Sequence, residues 1–256
     1  MNSPLGKNWI LLRGLARESA HWGGFVPLLQ SSFPDAQITT LDLPGTGRFY
    51  LGKSPKSIKA IMETVRSQAL ELGLLNRPVT LLALSLGGMV AWEWLQKRPE
   101  DCCGAALIST SFAGLNPFYE RLRWQSYSKF FAMIKERDLY KRELAIAGLV
   151  NNNRALDEQI ARDWEQIQRQ RPISPKIMFN QLLAAATYYP SAAKPSQPVL
   201  LLNSSGDRLV APACSETIQK KWDLNLCTHP WAGHDLTADD GAWVVSQLKQ
   251  WILTTG

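Results

Sequence analysis

Short, almost wholly apolar runs recur along the chain, separated by stretches whose apolar positions fall every three or four residues. The runs lie at 8–13, 36–41, 79–84, 104–109, 198–203 and 225–228. A run of four to eight apolar residues with no polar alternation is the signature of a parallel strand buried on both faces. Between them the spacing is helical. Ile58, Ile61, Met62, Val65, Ala69 and Leu72 make one stripe over 55–75, and Trp243, Val244, Leu248, Trp251 and Ile252 make another near the end. A weaker helical pattern covers 21–29, although Pro27 falls inside it. Strands alternating with helices predict an α/β fold, a mostly parallel sheet with helices on both faces.

The alternation stops once. From 113 to 190 the spacing is only helical, with a break at Asn151-Asn152-Asn153 and a further helix over 154–169. This stretch reads as a helical insertion over the C-terminal edge of the sheet. The core would then comprise 1–112 and 191–256, with a helical lid at 113–190.

The run at 79–84 ends in Leu84-Ser85-Leu86-Gly87-Gly88, and a helix pattern begins at once. A strand that turns directly into a helix strains the residue at its tip and needs small residues two positions away on either side. Ala83 and Gly87 meet that need, a variant of the G-x-S-x-G elbow that raises a nucleophilic serine above a sheet. The turn also sets the Leu86 amide at a helix N-terminus, where a developing oxyanion is favoured. The alternative is that Ser85 merely caps the helix.

A serine hydroxyl needs a base to take its proton and an acid to orient that base. His234 follows the last strand pattern, in a loop with Gly233, and Asp207 follows the strand before it. Taken singly, one could be a surface-loop histidine and the other a turn-forming aspartate. Their order after Ser85 is that of one nucleophile-elbow fold, and all three follow separate strands at the edge where open α/β sheets build sites. His229 reads as structural. His21, near Gly14, is a possible pocket residue or a packed one.

Composition narrows the partners. The 256 residues carry a net charge of +6, with twelve basic and eight acidic residues between 113 and 190. Acidic residues are interleaved throughout, so no basic cluster argues for nucleic acid. No apolar run is long enough to span a membrane, and the opening MNSPLGKNW lacks a leader's apolar segment. Four cysteines (102, 103, 214 and 227) show no C-x-x-C spacing, which favours reduced thiols, no metal and a cytoplasmic protein.

Five segments together resemble the α/β-hydrolase family over nearly the whole chain: Leu11-Leu12-Arg13-Gly14, Asp42-Leu43-Pro44-Gly45-Thr46-Gly47, Ala83 to Gly87, Gly206-Asp207-Arg208-Leu209-Val210, and Gly233-His234. The similarity is strongest to small lidded bacterial carboxylesterases, including those that cleave methyl esters of acyl carriers. It implies Ser85 as nucleophile, Asp207 as acid, His234 as base, and the Leu86 and Leu15 amides as an oxyanion hole. It further implies a small acyl ester or thioester as substrate, and no cofactor. Two features depart from the pattern. Arg13 stands where the family has histidine, and the chain starts almost at its first strand, without the antiparallel pair that often opens the fold.

The rival readings use the same scaffold: a C–C bond hydrolase, or a ligand-binding protein without hydrolysis. For an anionic C–C substrate, Arg121, Arg123 and Arg154 are candidate partners. Phe112, Phe118, Trp124, Tyr127, Phe130 and Phe131 could line an apolar acyl pocket, Trp124 foremost, or form the insertion's own core.

Overall fold

Six strands form one sheet in the order β2-β1-β3-β4-β5-β6, and every pairing is parallel. They are β1 (Asn8–Leu12), β2 (Gln37–Leu41), β3 (Val79–Leu84), β4 (Cys102–Ile108), β5 (Val199–Ser204) and β6 (Asn225–His229). The computed structural model describes residues 4–255, apart from the side chains of Phe130, Phe131 and Ile134; the first three residues of the opening stretch lie outside it.

The apolar runs sort themselves by parity. Ile10, Leu12, Leu81, Ala83, Ala105, Leu107 and Leu201 enter one core, while Trp9, Leu11, Leu82, Leu84, Ala106, Ile108 and Leu202 enter the other. Successive side chains of a strand face opposite ways, so a strand covered on both faces must be apolar throughout. The central β3 and β5 are buried at every position, whereas the edge strands β2 and β6 keep half-exposed residues.

Helices α2 (Ile58–Glu71), α3 (Leu86–Lys97) and α9 (Pro212–Trp222) cover the first face, through Ile61, Val65, Val90, Trp92 and Ile218 among others. Helices α1 (Phe25–Ser32) and α11 (Gly241–Thr255) cover the second, through Phe25, Leu29, Val244, Leu248 and Trp251. Each fully buried Leu of this kind contributes enough that truncation to Ala costs about 2–5 kcal/mol.

The pattern at 21–29 resolves into two pieces, a 3₁₀ turn Ser19–Trp22 and then α1. Pro27 is tolerated because it is the third residue of α1, where no intrahelical N–H bond is yet required; the first runs from Leu28 N to Gly24 O. Between β4 and β5 lie α4 (Phe118–Arg121), α5 (Tyr127–Lys135), α6 (Leu139–Val150), α7 (Asp157–Gln170) and α8 (Pro175–Ala186), with no strand among them. The short α10 (Leu236–Asp239) follows the last strand. No helix among the described residues is long and apolar enough to cross a membrane.

Candidate active site

The turn after β3 is as sharp as its sequence requires. Ser85 has φ 56° and ψ −116°, a conformation that costs a non-glycine residue on the order of 1–3 kcal/mol. The surrounding bonds hold it there. Ser85 N–H donates to Ile108 O at 2.8 Å, and Thr110 Oγ1 donates to Ser85 O at 2.9 Å. A Cβ on Gly87 would lie 2.6 Å from the carbonyl oxygens of both Leu12 and Arg13, so α3 can approach the end of β1 only with glycine there. The Ser85 side chain makes no capping bond to α3. The elbow therefore leaves the hydroxyl free, and the helix-cap alternative does not hold.

Asp207 and His234 meet across the ends of β5 and β6. His234 Nδ1 lies 2.8 Å from Asp207 Oδ2, with both side chains buried. The other carboxylate oxygen, Oδ1, accepts from the amides of Leu209 and Val210, which fixes the carboxylate's plane. With Nδ1 thus engaged, Nε2 is the ring nitrogen with no partner among the described residues. Ser85 and His234 line one cavity; no hydrogen bond joins them among the described residues, a common state for such pairs without a bound substrate. His229 is structural: its Nδ1 accepts from Ala232 N–H at 2.9 Å, which leaves Nε2–H to donate to Asp240.

The loop after β1 carries Leu15. Neither the Leu15 nor the Leu86 amide donates to another described group. Ala16 beside it sits at φ 55°, its N–H donating to Oε1 of the buried Gln181 on α8. Arg13 is buried under Trp22, with the guanidinium 4.8 Å from the ring centroid and Nη2 donating to Asp235 Oδ2 at 2.6 Å. Burial alone would raise the Asp235 carboxyl, but the Arg13 guanidinium and the Thr237 hydroxyl hold it below the usual aspartate value.

The break at Asn151-Asn152-Asn153 is more than a helix end. Asn152 Nδ2 donates to Gly206 O and to Trp231 O, at 2.9 and 2.7 Å, and its N–H donates to Asp239. Val150 O accepts from Asp235 N–H at 3.0 Å, and Arg208 reaches the carbonyls of Gly148 and Asn151. The end of α6 thus ties the Asp207 loop to the His234 loop. Three consecutive asparagines were the signal in the sequence, but they read equally well as a turn.

The cavity has a volume of about 250 Å³. Among the described residues its wall is mainly aliphatic, with Leu15, Met133, Ile146, Leu149, Met178 and Leu209, and Trp164 stands beside them. Of the aromatic residues expected as lining, those whose side chains are described lie elsewhere. Trp124 is 63% exposed and Phe118 50% exposed, away from the wall, while Phe112 belongs to the sheet core against Trp92 and Trp222. Tyr127 packs near Phe118, and the Phe130 and Phe131 side chains lie outside the described residues.

His21 is buried behind the wall rather than in it. Burial, then the fields of Arg17, Arg13 and Arg171, hold it neutral, with its pKa well below the usual histidine value. Its two nitrogens face two donors, Glu18 N–H and Arg17 Nη1, and a neutral imidazole can accept from only one of them. Arg121, Arg123 and Arg154 are all spoken for. Arg121 donates to the carbonyls of Ala185 and Ala186, Arg123 to Asp207 O, and Arg154 to Asp157 and Gly148 O.

A six-stranded parallel sheet with helices on both faces, a strained strand-to-helix serine, and acid and imidazole on later loops define an α/β-hydrolase fold. The family described as serine aminopeptidase, S33 (Hydrolase_4), matches residues 51–240, well over half of the chain, and the protein belongs to it. Solved structures agree on the fold. Esterase RhEst1 from Rhodococcus sp. ECU1013 superposes with a TM-score of 0.77 at 18% identity, over 98% of this chain and 92% of that one. BpoC of Mycobacterium tuberculosis H37Rv, a proposed non-heme bromoperoxidase, gives 0.77 at 17% identity, over 98% and 93%. The monoacylglycerol lipase of Paleococcus ferrophilus gives 0.63 at 20% identity, over 100% and 97%. No curated protein sequence matches the chain significantly.

Proposed function

We propose that the protein is a serine hydrolase that cleaves a carboxylic ester or thioester through an acyl-enzyme on Ser85. One observation carries this reading. A serine strained at φ 56° and free of any capping bond shares a cavity with an imidazole whose far nitrogen is held by a buried carboxylate. His234 Nε2 takes the Ser85 proton as Oγ attacks the acyl carbon, and later returns a proton to the leaving group. Asp207 keeps the ring in the tautomer with Nδ1–H and stabilises the imidazolium. The Leu15 and Leu86 amides, free of other acceptors, receive the oxyanion, and each donor of this kind is worth roughly 10²–10³ in turnover. Water activated by His234 then releases the acid. Residues 113–190 act as the lid, supplying Met133, Ile146, Leu149 and Met178 to the substrate side of the cavity.

An ester suits the cavity better than a peptide with a free amino terminus. Binding an ammonium group calls for an unpaired carboxylate, and the two carboxylates in the wall, Glu143 and Asp235, are already paired with Arg17 and Arg13. The direct test is hydrolysis of p-nitrophenyl esters of increasing acyl length by the wild type beside Ser85→Ala. Turnover that falls by roughly 10³-fold or more in the variant supports the reading; a variant with full activity removes it.

A further inference from the structure

The cavity wall holds one charged corner that the hydrolytic chemistry does not use. Arg17, from the loop that carries Leu15, is buried apart from 9% of its surface, and its guanidinium lies 4.2 Å from the ring centroid of Trp164. Its bonds are lopsided. Nη1 alone faces both Glu143 Oε2, at 2.8 Å, and His21 Nε2, at 3.0 Å. The three N–H bonds on Nε and Nη2 have no partner among the described residues. Unlike Nε and Nη1 of Arg13, they are not sealed in the interior.

We propose that the Nε–Nη2 edge of Arg17 is a carboxylate-binding fork, so that the substrate is an ester or thioester carrying a carboxylate on its acyl or alcohol part. The planar edge of a guanidinium presents two parallel N–H donors spaced for the two oxygens of a carboxylate. Stacking on Trp164 and the bond to Glu143 hold that edge without rotamer freedom, so little entropy remains to be lost on binding. Charge balance selects a monoanion. Glu143, with 2% of its side chain exposed, lies between Arg17 and Arg142, the latter 3.9 Å away. Two cations against one anion leave a single positive charge, which one carboxylate neutralises and a dianionic phosphate would overshoot. Leu15 and Arg17 are two residues apart, at most about 7 Å along the chain. Leu15, Arg17 and Ser85 line the same cavity, so one small substrate can meet the fork while its carbonyl oxygen sits at the Leu15 amide, a placement that rests on the acyl-enzyme reading.

Two matched pairs of esters test the fork: the mono-p-nitrophenyl ester of adipic acid against p-nitrophenyl hexanoate, and 4-acetoxybenzoate against 4-acetoxybenzamide. The wild type is expected to favour the carboxylate member of at least one pair by roughly 10- to 100-fold in kcat/KM, the range of hydrogen bonds to a charged group. Arg17→Gln alone would strand Glu143, so the preference is read in the charge-balanced double variant Arg17→Gln/Glu143→Gln. There the ratio should collapse towards one. Arg17→Lys, which retains the ion pair but lacks the fork, should lower it severalfold and serves if the double variant does not fold. Equal rates for both wild-type pairs overturn the inference, as does a preference that survives in the Arg17 variants or vanishes only in Arg142→Gln. If the wild type hydrolyses no ester, the acyl-enzyme reading fails on its own. Calorimetric binding of hexanoate against hexanamide then decides the fork: tighter hexanoate binding that depends on Arg17 supports it, and equal binding overturns it.

Discussion

Arg13 and Asp235 form an ion pair across 222 positions of sequence, with Nη2 and Oδ2 2.6 Å apart and 3% of each side chain exposed. Arg13 directly precedes Gly14 and the Leu15 loop, and Asp235 directly follows His234. The pair therefore clips the two loops together from beneath the cavity. This gives the buried arginine before Gly14 a physical role.

Breaking that clip should cost stability in a pH-dependent way. Arg13→Met leaves a buried carboxylate without its partner, worth about 3–5 kcal/mol at neutral pH. In the wild type the Asp235 pKa is lowered, so its contribution is present above the unfolded carboxylate value and disappears as pH falls through the folded one. In the variant, burial is opposed only by the Thr237 hydroxyl and the neighbouring His234, so that pKa rises and protonation relieves the fault. Urea unfolding at neutral pH and near pH 4 should show the gap between the two proteins narrowing on acidification. A gap independent of pH would show that the pair's charge is not what stabilises the fold.

Ser85 is strained, and glycine would relieve the strain. Ser85→Gly is expected to raise stability by about 1 kcal/mol, because glycine adopts positive φ without steric cost. Ester hydrolysis should vanish in the same protein. A urea midpoint unchanged or lowered in Ser85→Gly would mean that the turn is not under tension.

Asp207→Asn separates orientation from charge. An amide that accepts through one atom and donates through another cannot hold the Nδ1–H tautomer as the carboxylate does, and kcat should fall roughly 10⁴-fold with the fold intact. Circular dichroism beside single-turnover kinetics checks both halves of the expectation.

Asn152 touches neither the serine nor the imidazole, yet its side chain holds Gly206 O and Trp231 O. Asn152→Ala removes both bonds, and loop displacements of about 1 Å can cost up to about 10²-fold in turnover. The loss is expected mainly in kcat, with KM little changed. A rise in KM alone would place Asn152 in substrate binding instead.

Much of the scaffold is legible in the sequence. The two-sided burial of β3, β4 and β5 is written in their almost wholly apolar runs, and the elbow in its small neighbours Ala83 and Gly87. The placement of Ser85, Asp207 and His234 after three separate strands follows from the alternation of strand and helix. What stayed hidden depends on contacts between distant segments. No local pattern announces that Arg13 reaches Asp235, that Asn152 bridges two loops, or that Arg17 stacks on Trp164 at the cavity wall. For the same reason Arg121, Arg123 and Arg154 looked available while each serves backbone carbonyls or a neighbouring aspartate, and Trp124 looked like lining although it faces solvent.

The end of α6 has a consequence for how the molecule yields under stress. Because Val150, Asn151 and Asn152 are bonded to the loops of Asp207, Arg208 and Asp235, fraying that helix end releases Asp207 and His234 together. A protease nick or mild denaturant acting near Asn153 should silence the enzyme well before the sheet melts. Inactivation and global unfolding then become two separate events, and the first reports on a handful of asparagine and backbone bonds.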